Sequence, residues 1–330
     1  MKRMALPLTL VIVLAFAVSD SAFPGEKSPA QAHDLDTAIG AFPQDAREYL
    51  RTIISAEEFD ARLGAGQAVK LGALLGKSPH GVALALIGLA QRYARTPVSH
   101  FNVGAVAIGA SGAMYFGSNM EFPGQALSFS VHAEQSAIMN AWMHGEKGIQ
   151  ALAISAAPCG YCRQFLHELS TASSLIILLP GGKPAPLSAL LPDAFGPEDL
   201  DVEGRLMDSP RRELRLEAAN ADSLAEAALE AASTSYAPYS HNYSAVALES
   251  GQGAVVTGRY AENAAYNPSM SPMQAALCMY NNAGLAFEDI QRAALVQSNP
   301  RAANQDAAAR AVLGSLAPQA RLETYEAAAR

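Results

Sequence analysis

Three potential metal ligands and one carboxylate, at a spacing that suits zinc, place the tightest constraint on this chain. They are His132-Ala133-Glu134 and then, after room for a helix and a strand, Pro158-Cys159-Gly160-Tyr161-Cys162. Cysteines three apart share one face of a helix. Pro158 suits a first helical position, so the pair is predicted at a helix N-terminus, whose positive dipole end favours thiolates. His132 adds a neutral third ligand. Three protein ligands leave one of four tetrahedral positions open to water, the pattern of a catalytic rather than a closed structural zinc site. Glu134 stands two residues beyond His132, where a carboxylate can take and pass on a proton of that water. Taken alone, the Cys-x-x-Cys pair could be a redox couple and the histidine an ordinary core or surface residue. Their order, each ahead of a helical pattern, favours the metal.

Around this cluster the apolar pattern alternates between strands and helices. Val103 to Ile108, a turn at 109–112 and Ala113 to Phe116 predict a hairpin, with Asn119-Met120-Glu121 at its end. A helix follows from Ala133 to Trp142, then a buried strand from Ala151 to Ser155, the cysteine helix, and a strand from Ser174 to Leu179. The order is ββαβαβ, and strands joined through helices should run parallel. Residues 34–95 read as a small helical region, with helices over Ala46 to Ile54 and Val82 to Tyr93 and a capping-box pattern at Ser55-Ala-Glu-Glu. Gly181-Gly182-Lys183 lacks the spacing and the Ser/Thr of a phosphate loop.

With 330 residues, two domains are expected, a catalytic unit at 96–200 and a second at 223–330. The charge-rich, Pro-containing stretch between them, 201–222, reads as a linker. The second unit repeats the first. Tyr236-Ala-Pro-Tyr-Ser echoes Arg95-Thr-Pro-Val-Ser, Ala245-Val-Ala echoes Ala105-Val-Ala, and Tyr260-Ala-Glu262 stands for Asn119-Met-Glu121. Pro272-Met273-Gln274 falls where His132-Ala133-Glu134 stood, and Asn299-Pro300-Arg301 follows the last strand without a cysteine. The repeat has therefore lost its ligands and its acid/base group. Cys278, inside an apolar helix, reads as a small buried hydrophobe.

Lys2-Arg3, an apolar run from Ala5 to Val18 and small residues at Ser19 to Ala22 have the form of an export signal over 1–22. An ordinary buried N-terminal helix would give the same run, and the stretch is short for a membrane span. A periplasmic location and a cytoplasmic one both stay open. The net charge of −8, with no basic stripe and no interleaving of aromatics with Lys/Arg, argues against a nucleic-acid partner and for a small substrate.

Several motifs together carry a family resemblance. They are Phe101-Asn-Val-Gly-Ala, Phe116-Gly-Ser-Asn-Met-Glu-Phe, Val131-His-Ala-Glu-Gln-Ser-Ala-Ile, Pro158-Cys-Gly-Tyr-Cys-Arg-Gln-Phe, Leu191-Pro-Asp-Ala-Phe-Gly-Pro and Tyr260-Ala-Glu-Asn-Ala-Ala. Over residues 80–330 the chain resembles the long, two-domain bacterial cytidine deaminases, and His-x-Glu with Pro-Cys-x-x-Cys matches the zinc deaminase signature. The resemblance implies a three-layer α-β-α fold of α/β class in duplicate. It implies hydrolytic deamination of cytidine and deoxycytidine with one Zn²⁺ per chain on His132, Cys159 and Cys162, and Glu134 as acid/base. It also implies Asn119 and Glu121 on the ribose hydroxyls, Phe101 stacked on the base, and the Ala133 amide and Ala157 carbonyl on the pyrimidine edge. A homodimer is implied, with the degenerate half closing the partner's active site. Arg163, beside the metal helix, could bond a thiolate or make a surface ion pair.

Overall fold

A computed structural model describes residues 35–208, 210–219 and 221–329; the 1–22 leader reading lies outside them. Among the described residues no single helix is long and apolar enough to cross a membrane.

The first half is built on six strands: β1 (Arg62–Leu63), β2 (Gly104–Gly109), β3 (Met114–Ser118), β4 (Ile149–Ile154), β5 (Ile176–Leu178) and β6 (Ala185–Pro186), in the order β1-β3-β2-β4-β5-β6. β2 and β3 form the expected hairpin. β4 and β5, joined through a helix, are parallel as expected. Alternate side chains of this sheet face two layers. Val106, Ile108, Met114, Phe116, Ala151 and Ala153 pack on α1 (Gln44–Ile54), α2 (Ala65–Leu75) and α3 (Pro79–Ala90). Ala105, Ala107, Tyr115, Leu152 and Ile154 face α4 (Ala133–Met143) and α5 (Gly160–His167). A single turn, α6 (Leu187–Leu190), follows β6.

The second half carries β7 (Leu214–Leu216), β8 (Ser244–Ser250), β9 (Val255–Arg259), β10 (Ile290–Gln297) and β11 (Arg321–Ala329) in the order β7-β11-β10-β8-β9. α7 (Ser223–Ala232) covers one face; α8 (Pro272–Asn282) and α9 (Asp306–Leu316) cover the other. α4 and α8 share one apolar core between the two sheets. The molecule is thus two α-β-α units sharing their inner helical layer, the duplicated α/β class expected.

Four expectations need correction. Ser55 does not open a helix. It closes α1, its amide bonding back to Arg51 O and the Ala56 amide to Ile53 O, because Phe59 and Ala61 must turn inward to be buried. The stretch read as a linker is built into the fold. Leu206 exchanges backbone hydrogen bonds with Glu168 and Ser170, and β7 pairs with β11. Its charge-rich composition masked Leu206, Met207 and Leu214, all of which are buried.

The other two corrections concern the register of the repeat. Ala105 pairs with Gly117, and it is Val246 that pairs with Gly258, so Ala105 corresponds to Val246 and not to Ala245. Burial agrees: Ala105 and Val246 face the shared core, whereas Ala245 faces α7. A one-residue slip would put every side chain on the wrong face. At the next helix, His132 N bonds Gln135 Oε1 and Ser271 N bonds Gln274 Oε1. Gln274 therefore matches Gln135, and the counterpart of Glu134 is Met273.

Two glycines set the depth of the inner layer. A Cβ on Gly117 would stand 2.1 Å from Ala137 N, and one on Gly258 would stand 1.9 Å from Ala276 N. Helix backbone therefore lies directly on strand backbone in both halves. Polar contacts join the halves: Gln135 Nε2 donates to Pro268 O at 3.4 Å, and Gln274 Nε2 donates to Phe129 O at 2.8 Å. Buried Glu168 accepts from the Tyr236 and Tyr239 hydroxyls and the Ala264 amide.

Candidate active site

The site forms where two helices begin beside the ends of β3 and β4. After β3 the chain pairs back on itself, Met120 exchanging both backbone bonds with Val131, which sets His132 beside Asn119 and Glu121. His132 is the residue capping α4, so Ala133 and Glu134 form its first turn. β4 delivers Cys159 and Cys162 to the same end of the sheet.

Pro158 is not the first helical residue. Cys159 itself, with ψ near 169°, is the extended N-cap of α5, and Pro158 precedes it. The geometric consequence expected of the motif still holds, since Cys159 caps the helix and Cys162 lies in its first turn, both at the positive end of the dipole. Arg163 takes neither role foreseen for it. Its Nε donates to Pro158 O at 2.9 Å and its guanidinium to Leu190 O at 2.8 Å, so it braces the cysteine loop through backbone carbonyls.

His132 Nδ1 lies 3.6 Å from Cys159 Sγ and 3.2 Å from Cys162 Sγ, and the three ligand atoms are all within 4.8 Å of one another. Tetrahedral zinc with bonds of about 2.3 Å to sulfur and 2.0–2.1 Å to nitrogen separates such atoms by about 3.6 Å. The donor set fits zinc. Its protonation chemistry agrees: donation from the Cys162 thiol brings Cys159 down to about 5 despite burial. Cys162, next to that thiolate and buried, is pushed far upward. The pair by itself holds one charge, and a cation is what would hold both as thiolates. The Tyr161 ring sits 5.4 Å from the His132 ring. Glu134 is 4% exposed, and burial pushes its carboxyl upward.

In front of the cluster lies a cavity of about 460 Å³ in the usual range for small ligands. Of the metal-ligand, catalytic and substrate-binding residues expected from the sequence, the structure brings all but Cys162 to its wall: Phe101, Asn119, Glu121, Ala133, Glu134 and Ala157, with His132 and Cys159. Cys162 lies buried behind them. Asn119 pins the rim, its Nδ2 donating to Phe101 O at 2.9 Å and its Oδ1 accepting from Val103 N at 2.8 Å. Glu121 Oε2 accepts the amides of Val98 at 2.8 Å and Ser99 at 3.0 Å, and Oε1 accepts the Ser99 hydroxyl. These donors outweigh burial and hold Glu121 below the ordinary carboxylate value. Val98 and Ser99 were missed as site residues. Their one signal was the repeat, which keeps Pro-x-Ser and the distant glutamate in both halves.

The zinc-binding region of cytidine and deoxycytidylate deaminases matches residues 80–178, and a second form of that region matches residues 187–310. The chain belongs to the cytidine deaminase family. It is 44% identical over 282 residues to the cytidine deaminase of Cronobacter sakazakii, covering 86% of this chain and 95% of that one. Against the cytidine deaminase of Serratia proteamaculans it is 44% identical over 285 residues, covering 86% and 96%. Against that of Yersinia pestis it is 46% identical over 269 residues, covering 82% and 91%. The family's metal-binding region coincides with the His132, Cys159 and Cys162 cluster in the first half. The second half keeps the family's frame, with Ser271 and Met273 at the positions of His132 and Glu134.

Proposed function

We propose that the chain deaminates cytidine and 2′-deoxycytidine hydrolytically, consuming water and releasing uridine or deoxyuridine and ammonia. The observation that carries this reading is a buried carboxylate, Glu134, beside a zinc-type donor set on the wall of a nucleoside-sized cavity. Zinc held by His132, Cys159 and Cys162 supplies Lewis-acid activation of water. Glu134, its carboxyl raised by burial, takes the water proton and delivers it to ring N3, which makes C4 electrophilic. The water oxygen bonds to C4, and Glu134 then carries the water's second proton to the amine as the C4–N bond breaks and ammonia leaves. The Ala133 amide and the Ala157 carbonyl face the pyrimidine edge and fix which ring fits. Phe101, at the rim, covers the base.

Glu121 has three of its roughly four acceptor positions filled by the 98–99 loop, which leaves one on Oε1 for a sugar hydroxyl. Asn119, which holds the rim, faces the same hydroxyls. Catalysis belongs to the 96–200 unit and not to 223–330. Val98, Phe101 and Leu127 are 57%, 61% and 74% exposed at the cavity mouth, an apolar rim that suits cover by the second half of a partner copy in a homodimer.

The test is the fall in ultraviolet absorbance when purified protein meets cytidine, with and without a strong zinc chelator. Turnover that stops on chelation and returns with zinc is expected. Folded, zinc-loaded protein that leaves cytidine untouched would overturn the reading. Sedimentation of the same protein should show a dimer, and a monomer of full activity would refute the cover by a partner.

A further inference from the structure

The second half retains one piece of the catalytic half almost unchanged. Glu262 Oε2 accepts the amides of Tyr239 at 2.8 Å and Ser240 at 3.2 Å, and Oε1 accepts the Ser240 hydroxyl. These are the contacts of Glu121 with Val98 and Ser99, repeated at equivalent positions in a half whose described residues form no zinc-type donor cluster. Unlike Glu121, Glu262 has a tyrosine hydroxyl, that of Tyr260, beside its remaining acceptor position, which a sugar hydroxyl would share or take over. Glu262 is 3% exposed, yet it lines a cavity of about 340 Å³ with Tyr239, Ser240, Tyr260, Tyr266 and Ser269. The Tyr260 hydroxyl interacts with Ser269, Gln305 and Glu262. Tyr266, 64% exposed and held at φ +59°, brings its ring to 6.2 Å from the Tyr239 ring at the same cavity.

What has changed is the end where the base would go. Asn242 stands at the position of Phe101. Its Oδ1 accepts the Asn299 amide at 2.9 Å, its Nδ2 donates to Ala303 O, and Asn299 Nδ2 donates to Ser240 O at 3.0 Å. The 299–303 turn is thereby tied across the cavity, where Ala302 and Ala303 form a wall. Met273 replaces the acid/base group. The catalytic end is closed, while a carboxylate, two serine hydroxyls and three tyrosine rings remain.

We propose that this cavity is a second, non-catalytic site for a ribose ring, bound through its vicinal diol by Glu262 and flanked by tyrosine rings, whether the sugar comes as a nucleoside or as free ribose. The assignment rests on reading the Glu121 clamp as a sugar clamp. Carboxylates bind diols by accepting hydroxyl hydrogens, and aromatic faces pack against the apolar face of a sugar or against a base.

The experiment uses the full chain, zinc-loaded, with isotope-labelled tyrosines. Ring resonances of Tyr239, Tyr260 and Tyr266, assigned by single Tyr→Phe variants, are followed during titrations with uridine and with D-ribose. Saturable shifts at these rings with either probe are expected, and 2′,3′-dideoxyuridine should leave them unmoved. Glu262→Gln should weaken the response at least tenfold. Ser269→Trp, which fills the cavity and leaves the carboxylate alone, should remove it, so a loop loosened in the first variant cannot account for both results. No saturable shift up to tens of millimolar, an equal response to the dideoxy compound, or a response that survives both variants would overturn the proposal. In parallel, Glu121→Gln should raise the KM for cytidine at least tenfold. An unchanged KM would refute the sugar reading of the first clamp, whereas the tyrosine titration reports on the second cavity separately.

Discussion

Adding a single methyl group at Gly117 should inactivate the protein from a distance. In the structure a Cβ there would stand 2.1 Å from Ala137 N and 2.4 Å from Ala133 O, both backbone atoms of α4. No rotamer change can relieve a clash with backbone. Opening the shorter contact to an ordinary separation of about 3.4 Å moves α4 off the sheet by about 1.3 Å, an overpacking that typically costs about 1–3 kcal/mol. The displaced helix begins at the site, with His132 as its cap and Glu134 in its first turn. Misplacement of reacting groups by about 1 Å can cost about 100-fold in rate, or about 2.7 kcal/mol of transition-state stabilisation. Gly117→Ala should therefore lower kcat/KM for cytidine about 100-fold and lower stability to denaturant by about 1–3 kcal/mol. Gly258→Ala makes the same clash, at 1.9 Å, against α8 in the half whose described residues form no zinc-type donor cluster. It should destabilise as much but change kcat/KM by no more than about threefold. Steady-state kinetics, bound zinc and urea denaturation on both variants make the comparison. Wild-type kcat/KM in Gly117→Ala, or equal kinetic damage in the two, would refute the argument that α4 is held at catalytic depth by this glycine.

Glu134→Gln should abolish turnover while zinc stays bound at one per chain; loss of the metal in that variant would count against the acid/base assignment. Replacing Glu262 or Gln274 should leave single-turnover chemistry within about twofold of wild type, because neither stands at the Glu134 position. A large drop in that step would contradict the register found here. Glu168→Leu strands the Tyr236 and Tyr239 hydroxyls and the Ala264 amide, at about 1–3 kcal/mol each, and should cost at least about 3 kcal/mol in denaturant unfolding. A loss under 1 kcal/mol would show that these donors find other partners.

The fifth prediction concerns pH. Burial works against ionisation of Asp60, but bonds from His144 Nε2 at 2.7 Å and Arg62 Nε at 3.0 Å hold it below its ordinary value of 3.8. A depressed carboxylate contributes stability that is present above the unfolded value and is lost as pH falls through the lower folded one. Between pH 5 and pH 2 the wild type should lose more unfolding free energy than Asp60→Asn does. Equal pH profiles would remove Asp60 from the account.

Much of the site was legible in the sequence because its chemistry is local. A histidine before one helix and two cysteines three apart at the start of another are set by short-range geometry, so the spacing of the residues carries the arrangement. The hairpin, α4, β4 and β5 followed from apolar periodicity for the same reason. The linker reading failed because three buried apolar residues in a charged stretch show no period. The helix expected at Ser55 failed because burial of Phe59 outweighed a local capping pattern.

The one-residue register of the repeat is a different kind of information. Ala105-Val-Ala and Ala245-Val-Ala are the same letters, and only the pairing of Ala105 with Gly117 and Val246 with Gly258 shows which of them correspond. Backbone pairing and the choice of buried face are nonlocal, so composition cannot decide them. The same holds for Glu121, whose partners at 98 and 99 are backbone amides and a hydroxyl more than twenty residues away. The sequence by itself determined the metal ligands, the carboxylate proposed as acid/base and the loss of both in the second half. Tertiary structure alone decided that Met273 replaces Glu134, that α4 rests on Gly117, and that a carboxylate clamp survives in the half that lost its metal. Each of these depends on which backbone atoms meet across the fold, and that is settled only when the sheets and helices pack.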